Sequence, residues 1–203
     1  MAYGSGSIDN IITTGNLSIA GNITNQGNIT SNINIISGQG TLYPLLSSTA
    51  VSTTSGTTNV LITNLPSYVT RISIVFSELS LSGSSRPLIQ LGYGSTPTYQ
   101  TSGYQSTSDN YSTTAGPAAT STAGFVIGST FSANVATATG IYVLNKVPGT
   151  NIWLGGLSGT VYSGSVLIGG GTVTLSGVLT AIRLNTVNGT DTYDNGTACV
   201  FYE

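Results

Sequence analysis

Gly15-Asn16-Leu17-Ser18-Ile19-Ala20-Gly21-Asn22-Ile23-Thr24-Asn25-Gln26-Gly27-Asn28-Ile29-Thr30 is a six-residue repeat, and its reading decides the fold. Glycine recurs at Gly15, Gly21 and Gly27, and asparagine one place later at Asn16, Asn22 and Asn28. An aliphatic follows at Leu17, Ile23 and Ile29, then a hydroxyl at Ser18, Thr24 and Thr30. Each unit combines a Gly/Asn corner, where positive φ is tolerated, with a short β-branched arm. Self-similarity at a fixed period marks an elongated β architecture whose units cannot bury their apolar face alone; about five such turns from one chain would leave a row of aliphatics in water. Three copies wound around one axis would hide that row. The repeat therefore predicts an intertwined trimeric β-helical shaft, with Leu17, Ile19, Ile23, Ile29, Ile33 and Ile35 as its core.

Working outward, residues 1–7 are expected to be a flexible leader that attaches the chain to other proteins. The repeat and its hinge occupy residues 8–40. Ile33 and Ile35 alternate with Asn32 and Asn34, so the glycine period gives way to plain strand alternation before Ser37-Gly38-Gln39-Gly40, a hinge signal. Residues 41–203 carry longer strand-and-turn units. Strands are expected at Leu42–Val51, Asn59–Leu65, Arg71–Leu81, Pro87–Leu91, Gly124–Phe131, Ile141–Val147, Ile152–Leu157, Val161–Ile168, Val173–Leu184 and Thr197–Tyr202. Within Arg71–Leu81, Ile72, Ile74 and Phe76 share one face while Leu79 and Leu81 fall on the opposite parity, so a β-bulge is expected near Ser77-Glu78. Pro148-Gly149 signals a tight turn. Many short strands without helical period predict an all-β, jelly-roll-like sandwich head. Residues 93–123, rich in Ser, Thr, Gly and Tyr, read as one long connection of the kind that is usually functional.

Composition narrows the function. Four Lys/Arg and six Asp/Glu make charged residues 5% of the 203, about a fifth of the ordinary share. β-branched and aromatic residues are frequent, which favours a packed β protein over a solvated coil. Arg71, Arg86, Lys146 and Arg183 are scattered, so no nucleic-acid patch is expected. No apolar run approaches ~18 residues, so no membrane insertion is expected, and the first seven residues lack the pattern of a signal peptide. A single lysine is poor protection for strand edges, and closure by oligomerisation supplies another.

Leu65-Pro66-Ser67-Tyr68-Val69-Thr70-Arg71-Ile72-Ser73-Ile74-Val75-Phe76, Pro87-Leu88-Ile89-Gln90-Leu91-Gly92, Ile182-Arg183-Leu184-Asn185-Thr186-Val187-Asn188-Gly189-Thr190-Asp191-Thr192-Tyr193-Asp194 and Val200-Phe201-Tyr202-Glu203 resemble the C-terminal heads of fibre and tail-fibre proteins of phages, large DNA viruses and virophages. The resemblance covers about residues 41–203 and is specific in about a third of them. It implies a homotrimer on the virion surface, whose β head contacts the host or a partner virion. It supplies no receptor-binding residue.

Absence of histidine removes the commonest general base and the Ser-His-Asp and Cys-His arrangements. The carboxylates Asp9, Glu78, Asp109, Asp191, Asp194 and Glu203 leave glycoside cleavage as the remaining chemistry, but no spacing pairs them. The expectation is a non-enzyme without cofactors. Asn188 to Gly196 looks like an oxygen-rich calcium loop but lacks the twelve-residue spacing and the bidentate glutamate, so a turn built by two Asn-Gly steps, with the aspartates accepting backbone N–H bonds or pairing with Arg183 or Arg71, is the favoured reading. Tyr93, Tyr99, Tyr104 and Tyr111 are the candidate glycan-binding residues, because tyrosine offers an apolar face and a polar tip at low entropy cost. Packing between subunits or over the sandwich is the competing role. Trp153 is expected in a core or subunit interface, Cys199 buried, and Gly169-Gly170-Gly171 in a hairpin bend. If the shaft aliphatics meet on a trimer axis, Ile23→Asp combined with Ile29→Asp lowers shaft melting temperature and exposes it to protease. Unchanged melting and full protease resistance would contradict the shaft.

Overall fold

The computed structural model describes residues 56–111, 117–129, 131, 133, 137–161 and 164–203, together with the backbone of four short strands before them. Two compact units divide at Leu42/Tyr43. In the first, β1 (Ile35–Ser37) pairs antiparallel with β2 (Gly40–Leu42), Ser37 opposite Gly40, while Gly38 and Gln39 of the expected hinge lie outside the described residues. Ile35 starts β1; Leu17, Ile19, Ile23, Ile29 and Ile33 lie outside the described residues.

The second unit holds β3 (Leu46–Ser47), β4 (Val51–Ser52), β5 (Val60–Ile62), β6 (Arg71–Leu81), β7 (Pro87–Tyr93), β8 (Thr98–Tyr99), β9 (Gln105–Tyr111), β10 (Ala119–Ser121), β11 (Phe125–Val126), β12 (Ala138–Lys146), β13 (Ile152–Val161), β14 (Ser165–Thr174), β15 (Leu179–Thr186) and β16 (Tyr193–Tyr202). A wide sheet runs β10-β9-β14-β13-β12-β6-β16-β3, with β4 also on β16; a narrow one runs β11-β7-β15-β5, with β8 on β7. All pairings in both sheets are antiparallel. Four of them are nested in the chain: β6 with β16, β7 with β15, β9 with β14 and β12 with β13. From β6 to β16 this unit is thus a long two-stranded ribbon folded over on itself.

The two sheets share one core. Ile72, Ile74, Phe76, Tyr142 and Trp153 enter it from the wide sheet, and Ile89, Leu91, Ile182 and Leu184 from the narrow one. Each such side chain contributes about 1.5–3 kcal/mol by leaving water. Trp153 is a core residue, as expected, whereas Cys199 is only half-buried.

The expected bulge is present. Leu79 pairs with Ala138 and Phe76 with Gly140, while Ser80 pairs with Asn195 and Ser77 with Thr197, so β6 holds one extra residue against both neighbours. Glu78 takes φ +53° there, and its N–H donates to the Thr139 hydroxyl (2.9 Å). Leu79 and Leu81 thereby rejoin the core. The Pro148-Gly149 turn is also found: Gly149 has φ +72° and Thr150 N–H donates to the Val147 carbonyl, the pattern of a turn with positive φ at its third residue.

Other expectations are corrected. Of the expected strand Leu42–Val51, Leu42 ends β2, Leu46–Ser47 form β3 and Val51 starts β4, and its other residues lie outside the described ones. Val161–Ile168 spans a hairpin in which Val161 faces Ser165, and Val173–Leu184 crosses from β14 in one sheet to β15 in the other. Residues 93–123 are not one loop, because β8, β9 and β10 lie within them. Gly169, Gly170 and Gly171 sit inside β14, opposite Leu157, Gly156 and Gly155. Neighbouring strands approach too closely there for side chains: a Cβ on Gly169 would lie 2.8 Å from that of Ser108, and one on Gly155 would run into the Tyr142 ring. Gly196 is equally confined. It has φ +101°, and a Cβ would lie 2.6 Å from the carbonyl oxygens of both Ser77 and Glu78. Gly196→Ala is expected to cost at least about 2–3 kcal/mol in urea unfolding. Gly156, whose added Cβ would meet nothing within 4 Å, is expected to accept alanine within about 0.5 kcal/mol. Equal behaviour of the two variants would contradict the role assigned to the bulge.

Candidate functional site

The alternation that sends Ile89, Leu91, Ile182 and Leu184 into the core sends Gln90, Arg183 and Asn185 to the other face of the narrow sheet. There the chain from β8 to β10 folds over β7, and the four candidate tyrosines separate. Tyr104 is 1% exposed. Its hydroxyl accepts the Leu91 N–H (2.9 Å), and its ring meets Phe125 edge-on, centroids 5.0 Å apart at 87°. Burial pushes this hydroxyl well above its ordinary pKa, as it does those of Tyr142 and Tyr193. Tyr104 is therefore a core residue with almost no exposed surface, which corrects the expectation of an open surface tyrosine there. Tyr93, at the end of β7, is half-buried and packs on Gly177. Tyr99 lies across Gly92, where an added Cβ would be 3.0 Å from its ring. Tyr111 is 62% exposed at the end of β9, opposite Val166. These tyrosines form no single surface.

What residues 104–107 and 120–122 do form is a shallow cleft of about 280 Å³. Gln105, Ser106 and Thr107 line it from β9, Thr120, Ser121 and Thr122 from β10 and its end, with the buried Tyr104 at its wall. Ser106 is spent internally, its hydroxyl accepting the Val126 N–H (3.0 Å). Gln105, Thr107, Thr120 and Thr122 are exposed. This lining holds no Lys, Arg, Asp or Glu, and it offers hydroxyls and one amide to a ligand.

Beside it stands a cation. Arg183 donates from Nε (2.9 Å) and Nη2 (2.6 Å) to Oε1 of Gln90, and its guanidinium carbon lies 4.4 Å from the Tyr99 ring centre. Asn185 Nδ2 donates to the same oxygen (3.2 Å), and Gln90 Nε2 donates to the Ala123 carbonyl (2.8 Å). Partial burial raises the Tyr99 hydroxyl pKa, and the Arg183 charge opposes that shift. Read from the sequence, Arg183 was one of four scattered cations. Its position between Ile182 and Leu184, in phase with Gln90 between Ile89 and Leu91, was the available signal for this cluster.

Among the described carboxylates, Asp191, Asp109 and Glu203 each have a hydrogen-bond or ion-pair partner, and Asp9 lies outside the described residues. Asp191 accepts the Ser85 N–H (2.8 Å) and the Asn188 side-chain amide (2.7 Å), while Asn188 Oδ1 accepts the N–H groups of Thr190 and Asp191. That is the turn geometry considered for this segment, and it fastens the β15–β16 connection to the β6–β7 one. The second Asn-Gly step, Asn195-Gly196, is no turn but part of β16 against the bulge. Asp109 accepts the Ser129 hydroxyl (2.9 Å), and Glu203 pairs with Arg71 (2.9 Å). The Asp194 oxygens are enclosed without a hydrogen-bond partner among the described residues. No three His, Cys, Asp or Glu residues gather into a metal-binding group among the described residues. A second cavity of about 450 Å³ takes in Arg71, Asn145, Lys146 and Glu203, but Glu203 already neutralises Arg71.

Because the Tyr104 hydroxyl satisfies a buried backbone donor, Tyr104→Phe is expected to cost about 1–3 kcal/mol by leaving that N–H unpaired. Chemical denaturation measures it, and a neutral result would mean the bond contributes nothing. Comparison with family models, with curated proteins and with solved structures finds no match for the chain.

Proposed function

We propose that the protein is a viral fibre whose trimeric head attaches the particle to a host cell or partner virion by binding carbohydrate. In this reading residues 8–40 form the intertwined β-repeat shaft, residues 41–203 the jelly-roll-like head, and residues 1–7 join other proteins of the virion surface. The observation that carries it is the cleft along β9 and β10, a hydroxyl- and amide-lined surface free of charged side chains. Such a surface matches the hydrogen-bonding pattern of a sugar better than that of a charged ligand. The folded-over ribbon supports the jelly-roll-like description, although here most strands fall in one sheet. On the outer face of the wide sheet Ile168, Ser158, Ile141, Val75 and Cys199 form an uncharged row across five strands, which ends at Asp109 on β9, and this row supports assembly. Three weak sites on one head gain avidity when the receptor lets them engage together.

A fibre that only decorates or assembles the virion is the alternative, and a glycan depolymerase a weaker one. A glycan array probed with the full chain separates them. Retention on a defined set of glycans is expected; retention on no glycan and on no host surface would contradict the proposal in favour of a structural fibre. Release of reducing ends from a bound polysaccharide would contradict it in favour of an enzyme.

A further inference from the structure

Arg183 is held unlike a solvent-exposed arginine. Of its five N–H donors, those on Nε and Nη2 that reach Gln90 fix the guanidinium plane, and Tyr99 covers one face of it. Gln90, itself 3% exposed, is fixed in turn by Ala123 and Asn185. Both hydrogens on Nη1 remain without a partner among the described residues, and so does the charge: the ion pair found there is Arg71 with Glu203. Keeping a half-buried cation rigid without a counter-charge is unfavourable for folding alone. Fixing its plane in advance lowers the ordering cost of binding, and the guanidinium edge matches a carboxylate at two points.

We propose that Arg183, on the outer face of the narrow sheet, receives the carboxylate of an acidic sugar. The proposal rests on the glycan-binding reading and names the class of glycan. The neighbours favour a sugar acid over a bare carboxylate. Leu61, opposite Arg183 on β5, is 51% exposed and offers apolar surface to the C–H face of a pyranose ring. Asn185, its Nδ2 engaged with Gln90, keeps Oδ1 as acceptor for a sugar hydroxyl. The cluster also connects to the uncharged cleft. Ser121, in the cleft wall, accepts the Ala123 N–H through its hydroxyl (3.1 Å), and the Ala123 carbonyl holds Gln90. A chain of sugars could therefore place an acidic residue at Arg183 and neutral ones along β9 and β10.

The test is a titration of the full, isotope-labelled chain, following the arginine Nε–H resonances by NMR, with Arg183 assigned from its variants. The probes are sodium glucuronate, N-acetylneuraminate, methyl glucoside, N-acetylglucosamine and N-acetylaspartate. The expected result is a saturable shift of the Arg183 resonance with the two acidic sugars, at least about tenfold tighter than with the neutral sugars or with N-acetylaspartate. Arg183→Lys keeps the charge and the stem but loses the fork, and is expected to weaken acidic-sugar binding at least about tenfold. Arg183→Gln is expected to abolish it. Should Arg183→Gln not fold, the lysine variant and the wild-type titrations decide. Equal binding of acidic and neutral sugars would overturn this inference while leaving the glycan-binding reading standing. N-acetylaspartate binding as tightly as the sugar acids, or unchanged binding by Arg183→Lys, would also overturn it. Failure of every sugar to bind would sink both.

Discussion

Where β6 passes Gly196, the carbonyls of Ser77 and Glu78 close over a residue that can carry no side chain, and Glu78 bends into positive φ. One extra residue is absorbed at that point. Without it, the apolar phase of Ile72, Ile74 and Phe76 would run on and turn Leu79 and Leu81 toward solvent. With it, β6 keeps its core face along its whole length. β6 lies between β12 and β16 in the wide sheet, so its register is passed to both neighbours. From β16 the chain leads back to the Asp191 turn, which ties the β15–β16 connection to the loop that starts β7. The placement of the narrow sheet, and hence of Gln90 and Arg183, follows from this constraint.

How much of this was legible in the sequence depended on how local the signal was. The limits of β6, its bulge and the Pro148-Gly149 turn were legible because each depends on adjacent residues. The strand at Gly169-Gly170-Gly171 was not, since what demands glycine there is the approach of Gly155, Gly156 and Ser108 from other strands. Residues 93–123 look like a loop for a similar reason. Ser106 and Ser108 are polar, yet both are buried, because their hydroxyls accept the N–H groups of Val126 and Gly128. A hydroxyl satisfied by a distant backbone donor behaves as a core group, and nothing local marks it. The placement of the tyrosines was hidden on the same ground: composition singled out tyrosine, while the fold uses Tyr104 internally and lays Tyr99 beneath an arginine.

Scarcity of charge is the other constraint. With ten Asp, Glu, Lys and Arg side chains in 203 residues, the chain has few means of keeping sheet edges and faces apart from other surfaces. Arg71 and Glu203 neutralise each other, and the uncharged row from Ile168 to Cys199 leaves part of the wide sheet's outer face to hydroxyls and aliphatics. Contact with identical chains is one way to cover such a face. The aliphatic row of the N-terminal repeat poses the same problem, and winding three chains together is the solution proposed for it. The proposed glycan surface and the proposed assembly surface would then be two uses of one composition, separated by whether hydroxyls or aliphatics dominate.

Everything proposed for the shaft and for multivalent attachment rests on three chains assembling. Sedimentation equilibrium of the intact chain at micromolar concentration tests that claim most directly. The account predicts a single species of three times 20.6 kDa that persists on dilution. A monomer of 20.6 kDa across the same range would contradict it.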